Sequence, residues 1–462
     1  MKKVVGVLGL GYVGLPMASL SAIKGFKTIG FDLDKQKIKK ISASISPIND
    51  HATSLNLTKA ISTGNLKLTA KFEDLSKCNL FIICVPTPVL ENKEPDLTHL
   101  IDAVDQVSKV LKKGDILIVE STVFPGTCEE YVERNISKNT GLSSKKDYVL
   151  AHCPERVNPG DSFWNSSNIP RVIGATTKEG NEEAAKFYSK LLGGKIIDVK
   201  DVKKELEPKF KLDNNGNLKS KFVPLGSITL MKTIRDAEAV KAMENTVRDV
   251  NIAFVNELAK ISTALELDVV DIIDGMATKP FGKGPFYPGI GVGGHCIAVD
   301  PEWLKTASFK AGYFPEIINL ARNTNNLMPI FSMRSLQDEC DKYEIITKEQ
   351  NCLILGISYK KNIDDLRESP YFEVKKIADD IFKKVDVFDP YFKDLSTSSN
   401  LEDLIKTADI IILVTDHDHF IDYLRSLDYQ ETSIKILFDG RNCIDPSLLP
   451  DNIIYRGIGR SG

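Results

Sequence analysis

Short apolar runs alternate with helix-length amphipathic stretches from Val4 to about Val199. Six of these runs have the length and the flanking turn residues of β-strands. They begin at Val4, Lys27, Asn79, Asp115, Asp147 and Lys195. The alternation predicts an α/β fold with a doubly wound parallel sheet. The uncharged stretch from Val4 to Ile23 also has the length of a signal peptide or a membrane span, but its four glycines favour strand, turn and helix.

A long helical pattern separates this region from a second region of the same kind. Apolar residues recur at three- and four-residue spacing from about Asp236 to Glu266, which predicts one helix. Further strand-like runs begin at Asn351, Val385, Asp409 and Ile434. Residues 72–85 (FEDLSKCNLFIICV) and 401–414 (LEDLIKTADIIILV) carry similar residues at identical spacing. The match suggests two similar dinucleotide-type sheets, with a chance match of two helix–strand units as the alternative.

Two segments interrupt these patterns. Residues 201–226 are rich in lysine and contain DNNGN, which is typical of a hairpin turn or of a solvated surface insertion, and the insertion is preferred. Residues 279–294, KPFGKGPFYPGIGVGG, are too long and too rich in glycine and proline to be an ordinary connection.

Length, charge and cysteine spacing limit the kinds of protein that this chain can be. A length of 462 residues predicts about three domains. With 60 basic and 63 acidic residues, the chain has no global positive charge that would favour nucleic acid or an anionic membrane as partner. The eight cysteines show no CxxC or CxxxC spacing, which fits a reducing cytosol. We therefore expect a cytoplasmic protein, and no metal site is predicted.

The residues GLGYVG, Gly9 to Gly14, match the pattern GxGxxG between a predicted strand and a predicted helix. In this setting the glycines let backbone amides approach a pyrophosphate at the helix N-terminus. Asp32 ends the next predicted strand, where a carboxylate accepts hydrogen bonds from the adenosine ribose and repels a 2′-phosphate. The pattern predicts NAD rather than NADP, with glycines that serve only helix packing as the alternative. The corresponding turn GISYKK from Gly356 lacks the glycines, and its ligand is expected to differ.

Cys296 follows two glycines in GVGGHCIAVDP, residues 291–301. The glycines permit close approach of a substrate, and a helix that begins just after the thiol favours the thiolate. An inert buried cysteine is the alternative. Asp300, four residues on, is positioned to orient water or hold a lysine.

Four further polar or charged residues are candidates for the same chemistry. Lys241 and Asn245 lie one turn apart on the predicted long helix, where a buried lysine would stabilise an alkoxide and a solvated one would not. Glu155 and Arg156, in HCPERVNPG, are candidates for a general base and an anion contact, with surface charges as the alternative.

Taken in order, these motifs resemble the UDP-glucose/GDP-mannose dehydrogenase family of nucleotide-sugar 6-dehydrogenases over nearly the whole chain. The resemblance is carried by GLGYVGLP, CPER, AEAVKAMENTVRDVNIAFVNEL, GVGGHCIAVDP, SYKKNIDDLRESP and FDGR. It implies two Rossmann-like doubly wound parallel-sheet domains joined by a long central helix and a helical dimerisation region. The expected boundaries are 1–200 for the NAD-binding domain, 201–230 for a polar insertion, 231–334 for the central domain and 335–462 for the UDP-sugar-binding domain. We also expect a homodimer through the central helix, because its apolar stripe spans many turns.

The resemblance also implies a role for each matching residue. Cys296 captures the aldehyde formed from the sugar's primary alcohol, and the thiohemiacetal is oxidised to a thioester and released by water. Lys241 assists proton transfer with Asn245 and Asp300 as polar companions, and Glu155 activates the water. The implied NAD contacts are Gly9, Gly11, Tyr12, Val13, Gly14, Asp32, Thr87, Thr122 and Arg367. The implied contacts of the UDP-sugar are Arg156, Val157, Lys241, Asn245, Arg248, Gly293, Lys360 and Arg441.

The identity of the sugar stays open between branches of the family. GGHCIAVDP and RDVNIAF resemble the UDP-N-acetylmannosamine branch, which is favoured, whereas PFYPG resembles UDP-N-acetylglucosamine enzymes. UDP-glucose is a further alternative. Two other functions remain open: a one-step dehydrogenase of the 2-hydroxyacid type that uses Lys241 without a cysteine, and a non-catalytic NAD-binding scaffold.

Overall fold

The computed structural model describes residues 3–48, 51–90, 92, 94–157, 163–202, 224–279 and 285–461. The chain folds as two compact units. The first comprises Met1–Glu244 with Glu302–Ala311, and the second comprises Asn245–Pro301 with Gly312–Gly462. Across the described residues, no helix has both the length and the hydrophobicity needed to cross a bilayer. The hairpin or insertion predicted at 201–226 lies almost entirely outside the described residues.

The first unit is built on a nine-stranded sheet. Its strands are β1 (Val4–Leu8), β2 (Lys27–Phe31), β3 (Leu66–Thr69), β4 (Leu80–Ile83), β5 (Ile116–Val119), β6 (Val149–His152), β7 (Arg171–Ala175), β8 (Ile196–Asp198) and β9 (Ile228–Leu230). Its helices are α1 (Gly14–Ile23), α2 (Lys35–Ser42), α3 (His51–Ser62), α4 (Thr98–Ser108), α5 (Arg134–Thr140) and α6 (Lys178–Leu192). The strand order is β3-β2-β1-β4-β5-β6-β7-β9-β8, and its first six places follow the order of a dinucleotide-binding sheet.

A helix of 31 residues, α7 (Ile234–Ala264), confirms the predicted long helix. The remaining helices are α8 (Val269–Ala277), α9 (Asp300–Lys310), α10 (Glu316–Asn326), α11 (Met328–Lys342), α12 (Tyr371–Ile381), α13 (Leu401–Ile405) and α14 (Asp418–Ser426). The sheet of the second unit contains β10 (Asn351–Leu355), β11 (Lys384–Phe388), β12 (Ile410–Leu413), β13 (Ile436–Asp439), β14 (Ile454–Gly457) and β15 (Arg460–Ser461). Its order, β11-β10-β12-β13-β14-β15, places a reversal of strand order between β10 and β12.

Each sheet separates two hydrophobic cores, as a doubly wound sheet requires. In β4, Leu80 and Ile82 belong to one core, and Phe81 and Ile83 to the other. The same alternation occurs in β12, where Ile410 and Ile412 face one core and Ile411 and Leu413 the other. Such continuous apolar strands are typical of sheets covered on both faces, and the predicted α/β class is confirmed.

The repeated sequence segments occupy matching places in the two sheets. The strand of the first segment, β4, pairs with β1 and β5, and the strand of the second, β12, pairs with β10 and β13. Each therefore lies beside the first strand of its sheet. This agreement favours the interpretation of two similar sheets over a chance match.

The sheets differ from the prediction in two respects. One pair in each sheet is antiparallel: β6 with β7, and β14 with β15. No crossover helix lies between β6 and β7 in the described residues, and an antiparallel neighbour needs none. The pattern also missed β3, β7, β9, β14 and β15, most of which have only two to four residues and show no readable period.

A buried carboxylate holds the start of α7 within the first unit. Both oxygens of Glu238 accept backbone N–H bonds, one from Gly126 at 2.6 Å and one from Cys128 at 2.7 Å. Gly126 lies in the segment STVFPGT, residues 121–127, which comes shortly after β5, and Cys128 is the next residue. Burial raises the pKa of Glu238 to about 7, and the two backbone hydrogen bonds only partly offset this effect.

We expect Glu238→Gln to remove a pH dependence of stability. Between the ordinary pKa near 4.5 and about 7, the folded chain binds a proton that the unfolded chain releases, so the free energy of unfolding falls as pH rises. The stability of the wild type relative to Glu238→Gln should fall by up to about 3 kcal/mol between about pH 4 and about pH 8. Urea unfolding at both pH values measures this difference. Glu257→Gln, on an exposed part of the same helix, is the control; equal pH slopes for Glu238→Gln and wild type would contradict the prediction.

Candidate active site

The turn between β1 and α1 forms an open cradle. Gly9 has a φ of +88°, and a Cβ there would lie 2.7 Å from the carbonyl oxygen of Cys84 at the end of β4. A Cβ on Gly14 would overlap the carbonyl oxygen of Gly9. At Gly11, in contrast, a Cβ would meet nothing within 4 Å. The turn is thus packed against the sheet on one side and open on the other, as close approach by a pyrophosphate requires.

Asp32 fixes this turn from the end of β2. Its Oδ2 accepts a hydrogen bond from the backbone N–H of Leu10 at 2.9 Å and pairs with Lys37 Nζ at 2.8 Å. Its Oδ1 accepts the N–H of Asp34 at 3.0 Å. Beside it lies a cavity of about 900 Å³ whose lining includes Leu8, Gly9, Phe31, Asp32, Val85 and Pro86. The cradle and Asp32 fit a dinucleotide: the turn would hold the pyrophosphate and Asp32 the ribose.

Other predicted cofactor contacts surround the same strand ends. Thr87 Oγ1 donates a hydrogen bond to the carbonyl oxygen of Thr122 at 2.7 Å, which ties the residues after β4 to those after β5. Tyr12 is exposed and Val13 is half-buried at the start of α1. Arg367, in contrast, belongs to the second unit, where its guanidinium pairs with Asp365 at 2.7 Å.

Glu155 follows β6 and is held by three N–H donors. Its Oε1 accepts the backbone N–H groups of Arg156 at 2.7 Å and Val157 at 2.9 Å. Its Oε2 accepts Arg171 Nη2 at 2.7 Å. The Arg156 side chain forms an ion pair with Glu244 and donates to the carbonyl oxygen of Pro170 at 3.2 Å. Such bonds fix the direction of a carboxylate that is only slightly exposed.

The predicted residues of α7 differ in their burial. Lys241 is buried, which contradicts the alternative of a solvated lysine on the helix surface. Arg248, a predicted contact of the substrate, lies on an exposed part of the helix. Asn245 donates from Nδ2 to Oδ2 of the buried Asp300 at 2.5 Å, so these two predicted companions of Lys241 contact each other.

Cys296 lies in the turn that leads into α9. It is half-buried, and its carbonyl oxygen accepts the N–H of Asp300 at 2.8 Å. The loop before Cys296 has room only for glycine at positions 293 and 294. A Cβ on Gly293 would lie 2.7 Å from the carbonyl oxygen of Glu368, and one on Gly294 would strike the ring of Tyr359 at 2.7 Å.

The loop of Cys296 is also hydrogen-bonded to the turn that follows β10. The N–H of Gly294 donates to the carbonyl oxygen of Arg367 at 2.9 Å. Lys360 belongs to the same turn and is half-buried. Arg441, after β13, pairs with Asp416 at 3.3 Å, and its Nη1 would lie 3.1 Å from a Cβ on Gly289. These residues gather near the carboxyl ends of β10, β12 and β13, where open α/β sheets bind ligands.

Asp389, at the end of β11, repeats the arrangement of Asp32. Its Oδ2 accepts the N–H groups of Ile357 at 2.6 Å and Ser358 at 3.1 Å, which begin the turn after β10. In each sheet, therefore, an aspartate at the end of the neighbouring strand holds the first strand–helix turn. Only the first of these two turns has the glycine cradle, which supports the expectation that the second binds a different ligand.

Seven of the eight cysteines are poor nucleophiles by their surroundings. Burial raises the pKa of Cys78, Cys84, Cys128, Cys153, Cys340, Cys352 and Cys443. For Cys78, Cys153 and Cys340 the pKa reaches about 12, so the thiol stays protonated at neutral pH. Over the described ranges, no group of three or more His, Cys, Asp or Glu side chains is placed to hold a metal ion.

Sequence reasoning missed three residues that shape these surroundings. Arg171 contacts Glu155 from β7, Glu120 contacts Arg171 from the end of β5, and Tyr359 packs on the loop of Cys296. The available signal for the first two was a charged residue at the edge of an apolar strand. Nothing in the sequence indicated their partners.

We expect Asp32→Ser to relax the preference for NAD over NADP. The substitution removes the negative charge that would repel a 2′-phosphate and leaves Lys37 beside the same position. The ratio of kcat/KM for NADP to that for NAD should rise by about tenfold or more. The double variant Asp32→Ser/Lys37→Ala is the matched control and should lose the gain. An unchanged ratio in the single variant would contradict the assignment.

Comparison with known proteins places the chain among nucleotide-sugar dehydrogenases. Three models of the UDP-glucose/GDP-mannose dehydrogenase family match: the NAD binding domain at residues 3–192, the central domain at 235–327 and the UDP binding domain at 353–446. The matches confirm the predicted resemblance, the NAD cofactor and the UDP-sugar substrate class.

Relatives with assigned activities are similar in sequence to most of this chain. A UDP-N-acetyl-D-mannosamine dehydrogenase of Pyrococcus horikoshii is 35% identical over 99% of both chains. A UDP-N-acetyl-D-glucosamine 6-dehydrogenase of Pseudomonas aeruginosa is 35% identical over 84% of this chain and 82% of its own. The solved structure of a UDP-D-ManNAc dehydrogenase from P. horikoshii superposes with a TM-score of 0.85 at 35% identity, covering 99% of each chain. The chain belongs to the UDP-glucose/GDP-mannose dehydrogenase family, whose members are NAD-dependent nucleotide-sugar dehydrogenases.

Proposed function

We propose that this protein oxidises C6 of a UDP-N-acetylhexosamine to the carboxylate, with UDP-N-acetyl-D-mannosamine as the favoured substrate. The loop of Cys296 carries the proposal. Cys296 is half-buried, and its carbonyl oxygen accepts the N–H of Asp300, which also pairs with Asn245. The N–H of Gly294 in the same loop donates to Arg367, in the turn that bears Lys360. Burial, in contrast, raises the pKa of the other seven cysteines. A nucleophile beside a nucleotide-binding turn is what the two-step oxidation of a nucleotide sugar requires.

The proposed reaction proceeds through a covalent acyl-enzyme. The turn at Gly9 and Asp32 would hold NAD, and two molecules of NAD in succession would supply the hydride acceptors for the two oxidations. The C6 alcohol loses its proton to solvent, Lys241 stabilises the alkoxide, and loss of the first hydride gives the aldehyde. The Cys296 thiolate then adds to the aldehyde carbon to give the oxyanion of a thiohemiacetal. Loss of the second hydride leaves a thioester. Water, deprotonated by Glu155, adds to the thioester carbon; the C–S bond breaks, and the acid leaves with the thiolate restored.

The N-acetylmannosamine branch is favoured because relatives of that activity cover 96–99% of the chain. UDP-N-acetylglucosamine is the second candidate, and the P. aeruginosa relative supports it. The division into an NAD-binding, a central and a UDP-sugar-binding domain is supported by the three matched segments. We further propose a cytoplasmic location, in keeping with eight cysteines that form no disulfide in the structure.

Product stoichiometry tests the reaction. With UDP-N-acetylmannosamine, UDP-N-acetylglucosamine and UDP-glucose assayed side by side, we expect two NADH for each uronic acid, with the highest kcat/KM for UDP-N-acetylmannosamine. One NADH per sugar with release of aldehyde would contradict the four-electron reaction. Absence of NADH formation with all three sugars would favour a non-catalytic NAD-binding scaffold.

Cys296→Ser separates the thioester route from a one-step dehydrogenase. Acid formation should fall by about a thousandfold or more, because the serine cannot form the thioester. Cys443→Ser is the matched control, since Cys443 is also half-buried and its hydroxyl replacement keeps a donor toward Asp439 at the same place. Acid formation at the wild-type rate in Cys296→Ser would contradict the route.

A second part of the proposal is the homodimer through α7. Val247, Phe254 and Ile261 are spaced by seven residues on this helix, and each is about half exposed. Leu265 continues the stripe with 62% of its surface exposed. A regular row of large apolar side chains left in water is typical of an association surface.

Phe254→Asp is expected to yield monomers. A buried charge at the centre of the interface should weaken association by about a hundredfold or more. Light scattering after size-exclusion chromatography should give twice the mass of one chain for wild type and the mass of one chain for the variant. Leu395→Asp, equally exposed but elsewhere in the second unit, should remain dimeric. A wild-type protein that is monomeric at micromolar concentration would contradict the dimer.

A further inference from the structure

A fully buried arginine lies behind the predicted water-activating carboxylate. Arg171 is the first residue of β7, and its side chain has no exposed surface. Its Nη2 donates to Oε2 of Glu155 at 2.7 Å, and its Nη1 donates to Oε2 of Glu120 at 3.2 Å. A buried guanidinium is stable only while its carboxylate partners are in place, so this fork constrains both of them.

Glu120 is fixed from its other side. Its Oε1 accepts a hydrogen bond from the hydroxyl of Tyr188, whose ring centroid lies 5.6 Å from the guanidinium carbon of Arg171. Burial raises the pKa of Glu120 to about 7, and Arg171 only partly offsets this effect. Burial alone would lower the pKa of Arg171, but Glu155 and Glu120 outweigh it and keep the guanidinium charged.

The three donors to Glu155 leave one direction of the carboxylate available. A carboxylate accepts about four hydrogen bonds, and the backbone N–H groups of Arg156 and Val157 occupy Oε1. Arg171 occupies one position on Oε2. As far as the described residues show, the fourth position is also on Oε2, the oxygen whose place Arg171 determines.

We propose that Arg171 and Glu120 are positioning residues that hold Oε2 of Glu155 in the orientation in which it serves as the base for hydrolysis of the acyl-enzyme. The inference rests on the proposed function, because it assigns a role in the last step of that reaction. In this step the water oxygen bonds to the thioester carbon and its proton passes to Oε2. The C–S bond to Cys296 breaks, and the electron pair returns to sulfur as the thiolate. No oxidant takes part, so the hydride transfers should be spared when Arg171 is changed.

Arg171→Lys and Arg171→Met test the proposal through the accumulation of the acyl-enzyme. Lysine supplies a point charge that cannot bridge both carboxylates, and methionine supplies no donor. Mixed rapidly with NAD and the UDP-sugar that wild type turns over, both variants should form NADH in a burst of about two per active site. Steady-state kcat should then fall by about 10- to 100-fold without a rise in the KM for the sugar, with Arg171→Met the more affected. Intact-mass spectrometry should show the sugar acyl group on Cys296, and Cys296→Ser should abolish it.

Arg322→Met is the matched control, because Arg322 also forms a buried ion pair, with Asp249 at 2.6 Å in the second unit. It should lower stability without accumulation of acyl-enzyme. Glu120→Gln keeps an acceptor for Tyr188 and should give a smaller accumulation than Arg171→Lys; it serves with Arg171→Lys if Arg171→Met does not fold.

A folded Arg171→Lys whose burst and steady state fall in proportion, with no adduct, would assign a purely structural role and overturn the proposal. Wild-type hydrolysis in that variant would do the same. Failure of the proposed function would be seen in other measurements: wild type would form no NADH, or Cys296→Ser would still form the acid.

Discussion

Contacts between main-chain atoms at the ends of strands are the constraint on which both candidate sites depend. The turn at Gly9 touches the end of β4, and Gly14 touches Gly9, so closely that a Cβ has no room. The loop of Cys296 approaches the carbonyl oxygen of Glu368 through Gly293 in the same manner. Because backbone on one side meets backbone on the other, no rotamer change relieves a larger side chain. The positions of Asp32 and Cys296 follow from these contacts.

Buried aspartates hold these turns in place by accepting hydrogen bonds from their backbone N–H groups. Asp32 accepts the N–H of Leu10, and Asp389 accepts the N–H groups of Ile357 and Ser358. Both lie at the end of the strand next to the first strand of their sheet. In each unit, an aspartate at this place therefore orders the turn that follows the first strand. The two units differ in what the turn offers to a ligand: an open glycine cradle in one, and a lysine-bearing loop in the other.

Local patterns in the sequence predicted the parts of the structure that local physics decides. The glycine fingerprint, Asp32 and α7 all follow from residues within a few turns of each other. The role of Arg171 was invisible because its partners lie 51 and 16 residues away, at Glu120 and Glu155. The importance of the glycines before Cys296 was predicted, but its cause, Tyr359 and Glu368, comes from a segment more than 60 residues later. The missed strands of two to four residues have a simpler explanation, because so few residues do not display a recognisable alternation of apolar and polar positions.

The contrast between Cys296 and the other cysteines has a practical consequence for covalent chemistry. An alkylating reagent reacts with thiolates, and burial keeps seven of the eight thiols of this chain protonated and screened from solvent or paired with Asp439. At neutral pH these seven thiols are therefore poor targets for a mild electrophile. A fluorophore or crosslinker meant for the Cys296 loop meets little competition from the other thiols of the folded protein, so they need not be replaced first.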